Sequence, residues 1–148
     1  MTTNFSLSLR SISSQILALE ALRIATTPNC DSPAILTSDH LSALHRSIRG
    51  AYARMLLSLS GSIIESNIAD LDDNSELLVF SMEIPESFHA PTLRKMIEEA
   101  LVNLTLAVCL PSPAKESASA IAEELLRRVS STVNNTFSDQ ITLKCYDI

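Results

Sequence analysis

Glu76–Leu110 reads ELLVFSMEIPESFHAPTLRKMIEEALVNLTLAVCL, and its reading decides the fold. Leu78, Phe80, Met82 and Ile84 recur at every second position, the period of a strand with one buried face. Pro85 lacks the N–H needed to continue a ladder, so the strand Glu76–Ile84 ends there. A Ser/His/Pro turn follows. Pro91 then suits the first turn of a helix, where its missing N–H costs nothing. Apolar residues continue to Leu110, and Pro111-Ser112-Pro113 stops that helix. The same tripeptide opens another helix, with Ser112 as its cap.

Working outward, Phe5, Leu7 and Leu9 alternate with Ser6 and Ser8. Asn4–Leu9 is therefore expected as a short strand entering a helix over about Ser11–Thr26. A helix starting at Ser6 competes, since Phe5, Leu9, Ile12, Ile16 and Leu19 also fit a 3.6-residue stripe. Leu17 and Ile24 lie off that stripe, so a second side of the helix is expected to be covered. Two prolines, Asn29, Asp31 and Ser32 mark Thr27–Thr37 as a loop. Thr37 or Ser38 caps a long second helix with Leu41, Leu44, Ile48, Tyr52, Met55, Leu59 and Ile63 on its apolar face. Gly50 falls inside this pattern, where it reads as a close helix approach. Gly61 reads as a kink or an early end.

Asp70–Ser75 reads as an acidic turn. After Pro113, Ala118, Ile121, Ala122, Leu125 and Val129 are expected to face inward. Ala114, Ala118 and Ala122 would admit a close neighbour. Beyond Asn134-Asn135, the alternation of Ile141, Leu143 and Cys145 predicts a last short strand over Gln140–Tyr146. The expectation is one mostly helical α+β domain, residues 1–148, of about four helices packed with two or three short strands. Short strands at both ends leave open edges for a second copy of the chain. Phe5, Leu7, Leu9, Leu17, Ile24, Ile141 and Leu143 are the residues expected at such an interface.

Composition narrows the function. The chain has 148 residues, long enough to bury its own core, and 46% of them are hydrophobic against 19% charged, a globular balance. A net charge of −6 argues against nucleic acid as the primary ligand. Arg46, Arg49 and Arg54 share a helix and read as a solvated face. Only Gly50 and Gly61 are glycine, so no phosphate-cradling loop, dinucleotide fingerprint or nucleophile elbow is present. Cys30, Cys109 and Cys145 are widely spaced, form no CxxC pair, and fit a reducing compartment. No signal peptide is read, and the apolar run Ala100–Leu110 is too short to span a bilayer. The expected origin is cytoplasmic, with no membrane partner.

No constellation reads as catalytic, metal-binding or cofactor-binding. Ser38-Asp39-His40 are adjacent and cannot form a triad; they read as a helix cap. His40 and His45 are five apart, off the three-or-four spacing of two ligands on one helical face. His89 stands in a turn. Asp70, Asp72 and Asn74 match half of a calcium loop, but Ser75 replaces its glycine and Ser81 its last carboxylate. Glu98-Glu99 and Glu123-Glu124 lack the Glu-x-x-His partners of a two-metal helical site. Arg94 with Glu98 and Lys95 with Glu99 read as pairs along one helix.

Phe80–Pro85, then Phe88, then Leu93, Ala100, Leu101 and Val102, resemble a set of small uncharacterised proteins from Bacteroidales prophage regions. The entry of Phe5–Leu9 into a helix and the Thr37-Ser38-Asp39 segment are similar too. The chain departs from their pattern in having no Trp and no basic Arg/Pro-rich tail. Such proteins resemble neck or head-to-tail adaptor components of phage virions. The resemblance implies a non-enzymatic assembly subunit, a homo-oligomer that also meets other proteins and ends in the virion, with no cofactor. The alternative is a small intracellular binding or regulatory module with a groove between helices. An enzyme would need a cleft holding two histidines with carboxylates.

Overall fold

The computed structural model describes residues 2–26, 41–72, 74–85, 89–110 and 113–146, with α4 side chains described as far as Val133. The elements are β1 (Thr2–Ser8), α1 (Leu9–Thr26), α2 (Leu41–Ser58), β2 (Ile63–Ser66), β3 (Leu77–Glu83), α3 (Ala90–Cys109) and α4 (Ala114–Tyr146). Among the described residues the fold is mostly helical α+β: four α-helices and one antiparallel sheet in the order β1-β3-β2.

β3 is the central strand, and its backbone is shared strictly between its neighbours. Leu9 N–H donates to the Glu76 carbonyl at 2.9 Å, one step beyond the Ser8–Leu77 pair. Antiparallel pairs alternate between bonded and non-bonded. Leu7–Leu78, Phe5–Phe80 and Thr3–Met82 are therefore the bonded pairs with β1. On the other side, Glu83 N–H reaches the Ser62 carbonyl and Asn67 N–H the Val79 carbonyl, each at 3.0 Å. Even-numbered residues of β3 thus bond to β1 and odd-numbered ones to β2.

The same alternation sorts side chains. Phe5, Leu7, Leu78, Phe80 and Met82 are buried on the inner face. Phe5 and Phe80 are direct cross-strand partners, with ring centroids 5.2 Å apart and stacked. Such a pair contributes about 0.5–1.5 kcal/mol beyond its buried area. Leu44, Ile48, Tyr52 and Met55 of α2 and Leu93, Ile97 and Leu101 of α3 complete the core with them. α3 packs between α2 and α4. Ala118 and Ala122 are buried on α4 and let α3 approach closely, followed by Leu126, Val129 and Val133.

Local signals set the junctions. Ser8 ends β1 and its Oγ accepts from Ser11 N–H at 3.3 Å, which caps α1. The buried hydroxyls of Ser13 and Thr105 donate to the carbonyls of Leu9 and Leu101, four residues back, so neither is left unsatisfied.

Four expectations change. Ile63 belongs to β2, not to the second helix, because the chain turns at Leu59–Ser62 and Ser62 already bonds to β3. Gly61 thus marks an early end. Gly50 is exposed with open space where a Cβ would stand, so among the described residues no helix comes close there. Gln140–Tyr146 is helical, the end of α4, rather than a strand. A helix extends by adding one local bond per residue, whereas a strand needs an edge to pair with. Open strand edges at both ends therefore reduce to the one at β1. On α4, Ile121 is 49% exposed and Leu126 takes the inward position. The capping roles read for Thr37, Ser38 and Ser112 lie outside the described residues.

Asn67 and Tyr52 fasten α2 to the sheet. Tyr52 Oη lies 3.1 Å from Asn67 Oδ1 and 3.0 Å from the Val79 carbonyl, donating its one proton between them. Asn67 Oδ1 also accepts from Val79 N–H at 3.1 Å, and its Nδ2 donates to the Leu77 carbonyl at 3.0 Å. Asn67→Ala is expected to lower unfolding free energy by about 1–3 kcal/mol, the net worth of the two or three hydrogen bonds its side chain makes. Gly50→Ala is expected to raise it by about 0.5–1 kcal/mol, the difference in helix propensity. Urea unfolding of both variants measures the two effects, whose signs are opposite.

Candidate functional site

The polar residues singled out by spacing are occupied with structural tasks. His89 Nδ1 is hydrogen-bonded to Thr92 Oγ1 at 2.8 Å, where α3 begins. Asp72 Oδ1 accepts from Asn74 N–H at 2.8 Å and from Ser75 Oγ at 3.1 Å. These bonds, led by the one from Asn74, hold the Asp72 carboxyl below its usual range. They close a turn rather than a calcium loop. Glu98 Oε1 accepts from Gln15 Nε2 at 2.6 Å and so links α3 to α1. Arg94 reaches the Ser6 carbonyl at 3.0 Å instead of serving as a helix-surface partner of Glu98.

Glu124 is gripped by Arg127 and, secondarily, Arg128, which bring its carboxyl down to about 2. Burial pushes the Cys109 thiol up, against a smaller opposing hydrogen bond from Ser47. A thiol so held is a weak nucleophile at neutral pH. His45 lines a small hollow with Arg10, Leu17 and Glu76. The described residues contain no group of three or more His, Cys, Asp or Glu placed to hold a metal ion. None of their helices is long and apolar enough to cross a membrane.

The expected interface residues divide. Phe5, Leu7 and Leu9 are buried in the chain's own core, so their side chains offer nothing to a partner; alternation turned them inward. Leu17 is half-buried against that core. Ile24 lies in the last turns of α1 and Ile141 and Leu143 in α4, and the side chains of all three are outside the described set. The last two do not belong to a strand edge.

The exposed apolar surface of α1 lies elsewhere. Leu19 is 44% and Leu22 59% exposed. With Ala18 they border a hollow of about 520 Å³ between α1 and α3, floored by Val102 and rimmed by Gln15, Glu99 and Asn103. Leu19 reads from the stripe as core, and Leu22 carries no pattern of its own. The available signal was that leucine and isoleucine occur all round α1, more than one buried face requires.

A second groove, of about 530 Å³, runs between β1 and the first half of α3, past Asn4, Pro91, Arg94 and Lys95. A third, between α2 and α4, passes Arg54, Leu104, Glu123 and Arg127. No family model, curated protein or solved structure matches the chain.

Tyr52 provides a titration marker for the α2–sheet junction. Burial raises its phenol from 10.0 to about 12, and the backbone of Asn67 pulls more weakly the other way. The folded pKa lies above the unfolded one. Its stabilising contribution is complete below pH 10 and is lost as pH rises through about 12. Ultraviolet titration should show one phenolate delayed to about pH 12, absent in Tyr52→Phe.

Proposed function

We propose that the chain is a non-enzymatic assembly subunit that associates with copies of itself. The exposed leucines of α1 carry this reading. Leu19 and Leu22 are exposed next to the hollow floored by Val102, on a helix whose other side is already in the core. Exposed leucines that border an apolar hollow suit a partner better than water. The polar groups described above hold turns, caps and helix contacts, which supports a structural role rather than a chemical one.

The setting rests on the resemblance of Phe80–Leu110 to prophage-encoded proteins. On that reading the assembly is the neck of a phage virion, where the subunit stands between head and tail. The same hollow would also seat a helix of another protein, the alternative of a binding module. Oligomeric state separates the two.

Light scattering at high micromolar concentration should give a multiple of the 16.1 kDa chain mass. The double variant Leu19→Glu, Leu22→Glu should return it to a single chain that still folds with native helical content, since Leu22 lies mostly and Leu19 nearly half in solvent. A native chain that stays monomeric removes the self-assembly reading. Failure of the oligomer to join portal or tail parts in mixed reconstitution removes the neck setting alone.

A further inference from the structure

The two edges of the sheet are treated differently. β2 is short, carries Glu65, and is irregular between Ile63 and Glu65. Bulges and charges of this kind discourage further strands from adding. β1 is seven residues long, TTNFSLS, with no charge, no proline and a register with β3 that has no break. Because its odd-numbered residues bond to β3, the backbone N–H and C=O groups of Thr2, Asn4 and Ser6 point outward.

What lies against that outer edge is the groove with α3. Its wall holds Arg94 and Lys95, both exposed, and Glu98. Glu98 is engaged by Gln15. Two cations against one carboxylate make the groove net positive, opposite in sign to a chain carrying −6. Arg94 already donates to one outward acceptor, the Ser6 carbonyl, at 3.0 Å. Its guanidinium therefore covers the edge with a side chain, a cover that can swing aside without refolding anything.

We propose that the groove between the outer edge of β1 and α3 binds an extended acidic segment of a partner protein by strand addition. Asn4 supplies the central pair of backbone bonds, flanked by Thr2 and Ser6. Arg94 leaves the Ser6 carbonyl and, with Lys95, meets carboxylates on the incoming segment, where charge-assisted bonds are strongest. The segment that fits is about five residues long, the length of an ordinary strand. This site is separate from the Leu19–Leu22 side of α1 and does not depend on self-association there.

The probe is a blocked, fluorescent peptide of alternating glutamate and valine, titrated into the full chain by anisotropy. A lysine–valine peptide and a glutamate–valine peptide with alternate backbone amides methylated serve as comparisons. The acidic peptide should bind roughly tenfold or more tightly than the lysine peptide, the scale of one charge-assisted bond. Methylation should abolish binding. Arg94→Glu and, separately, Lys95→Glu should each weaken it, and the amide resonances of Asn4 and Ser6 should move on binding.

Equal affinity for both charge types, indifference to methylation, or no binding of the acidic peptide overturns the proposal. So does oligomer mass that falls with Ser6→Pro while the peptide has no effect. That result would assign the β1 edge to a second copy of the chain instead.

Discussion

The sheet and the core side chains on its inner face depend on β3, and the dependence is a matter of alternation. A central strand has its hydrogen bonds divided between two neighbours and its side chains between two faces. In β3, Leu78, Phe80 and Met82 bond to β1 and also point into the core, whereas Leu77, Val79 and Glu83 face outward. A slip of one residue would expose Phe80 and separate it from both Phe5 and Tyr52. The helices can therefore settle in only one register. α2 is held to it by Tyr52, whose ring lies 6.1 Å from that of Phe80 and whose hydroxyl is anchored at Val79.

Asn67 makes this possible from the other side. The chain leaves β2 with Ser66 and must still satisfy the outward groups of Val79 and Leu77. Asn67 supplies its backbone N–H to the first and its side-chain amide to both, acting as one more strand residue at the point where the strand has stopped. Its Oδ1 also takes a share of the Tyr52 proton. One amide thus closes the sheet and the helix–sheet contact together, and burial of the phenol follows from that closure.

This logic separates what the sequence discloses from what it conceals. The strand over Glu76–Ile84, the helix over Pro91–Leu110 and the entry of the first strand into α1 are readable because period, proline and cap agree locally. β2 was hidden: Ile63 continues the spacing of Leu59, and only its pairing with Met82 makes it a strand. At the other end, Ile141 and Leu143 alternate like strand residues, yet no edge is paired with them and the helix runs on through Tyr146. In both places partners decided the structure, and partners are not written in local spacing. The exposed leucines of α1 are concealed for a related reason. A helix with apolar residues all round does not say which side its own chain will cover.

The treatment of the sheet edges has the same origin. β3 could not be an edge, because its residues already bond on both sides. The strands flanking it had to be, and they meet the hazard by different means. At β2 the irregularity is built into the backbone and cannot be withdrawn. At β1 it is a single arginine from α3, resting on a single carbonyl. A fixed bulge and a movable side chain both deter stray pairing, but only the second can be displaced by a strand carrying a better offer of negative charge. The outer edge of β1 is therefore guarded reversibly, and α3, placed there by its packing in the core, supplies the guard.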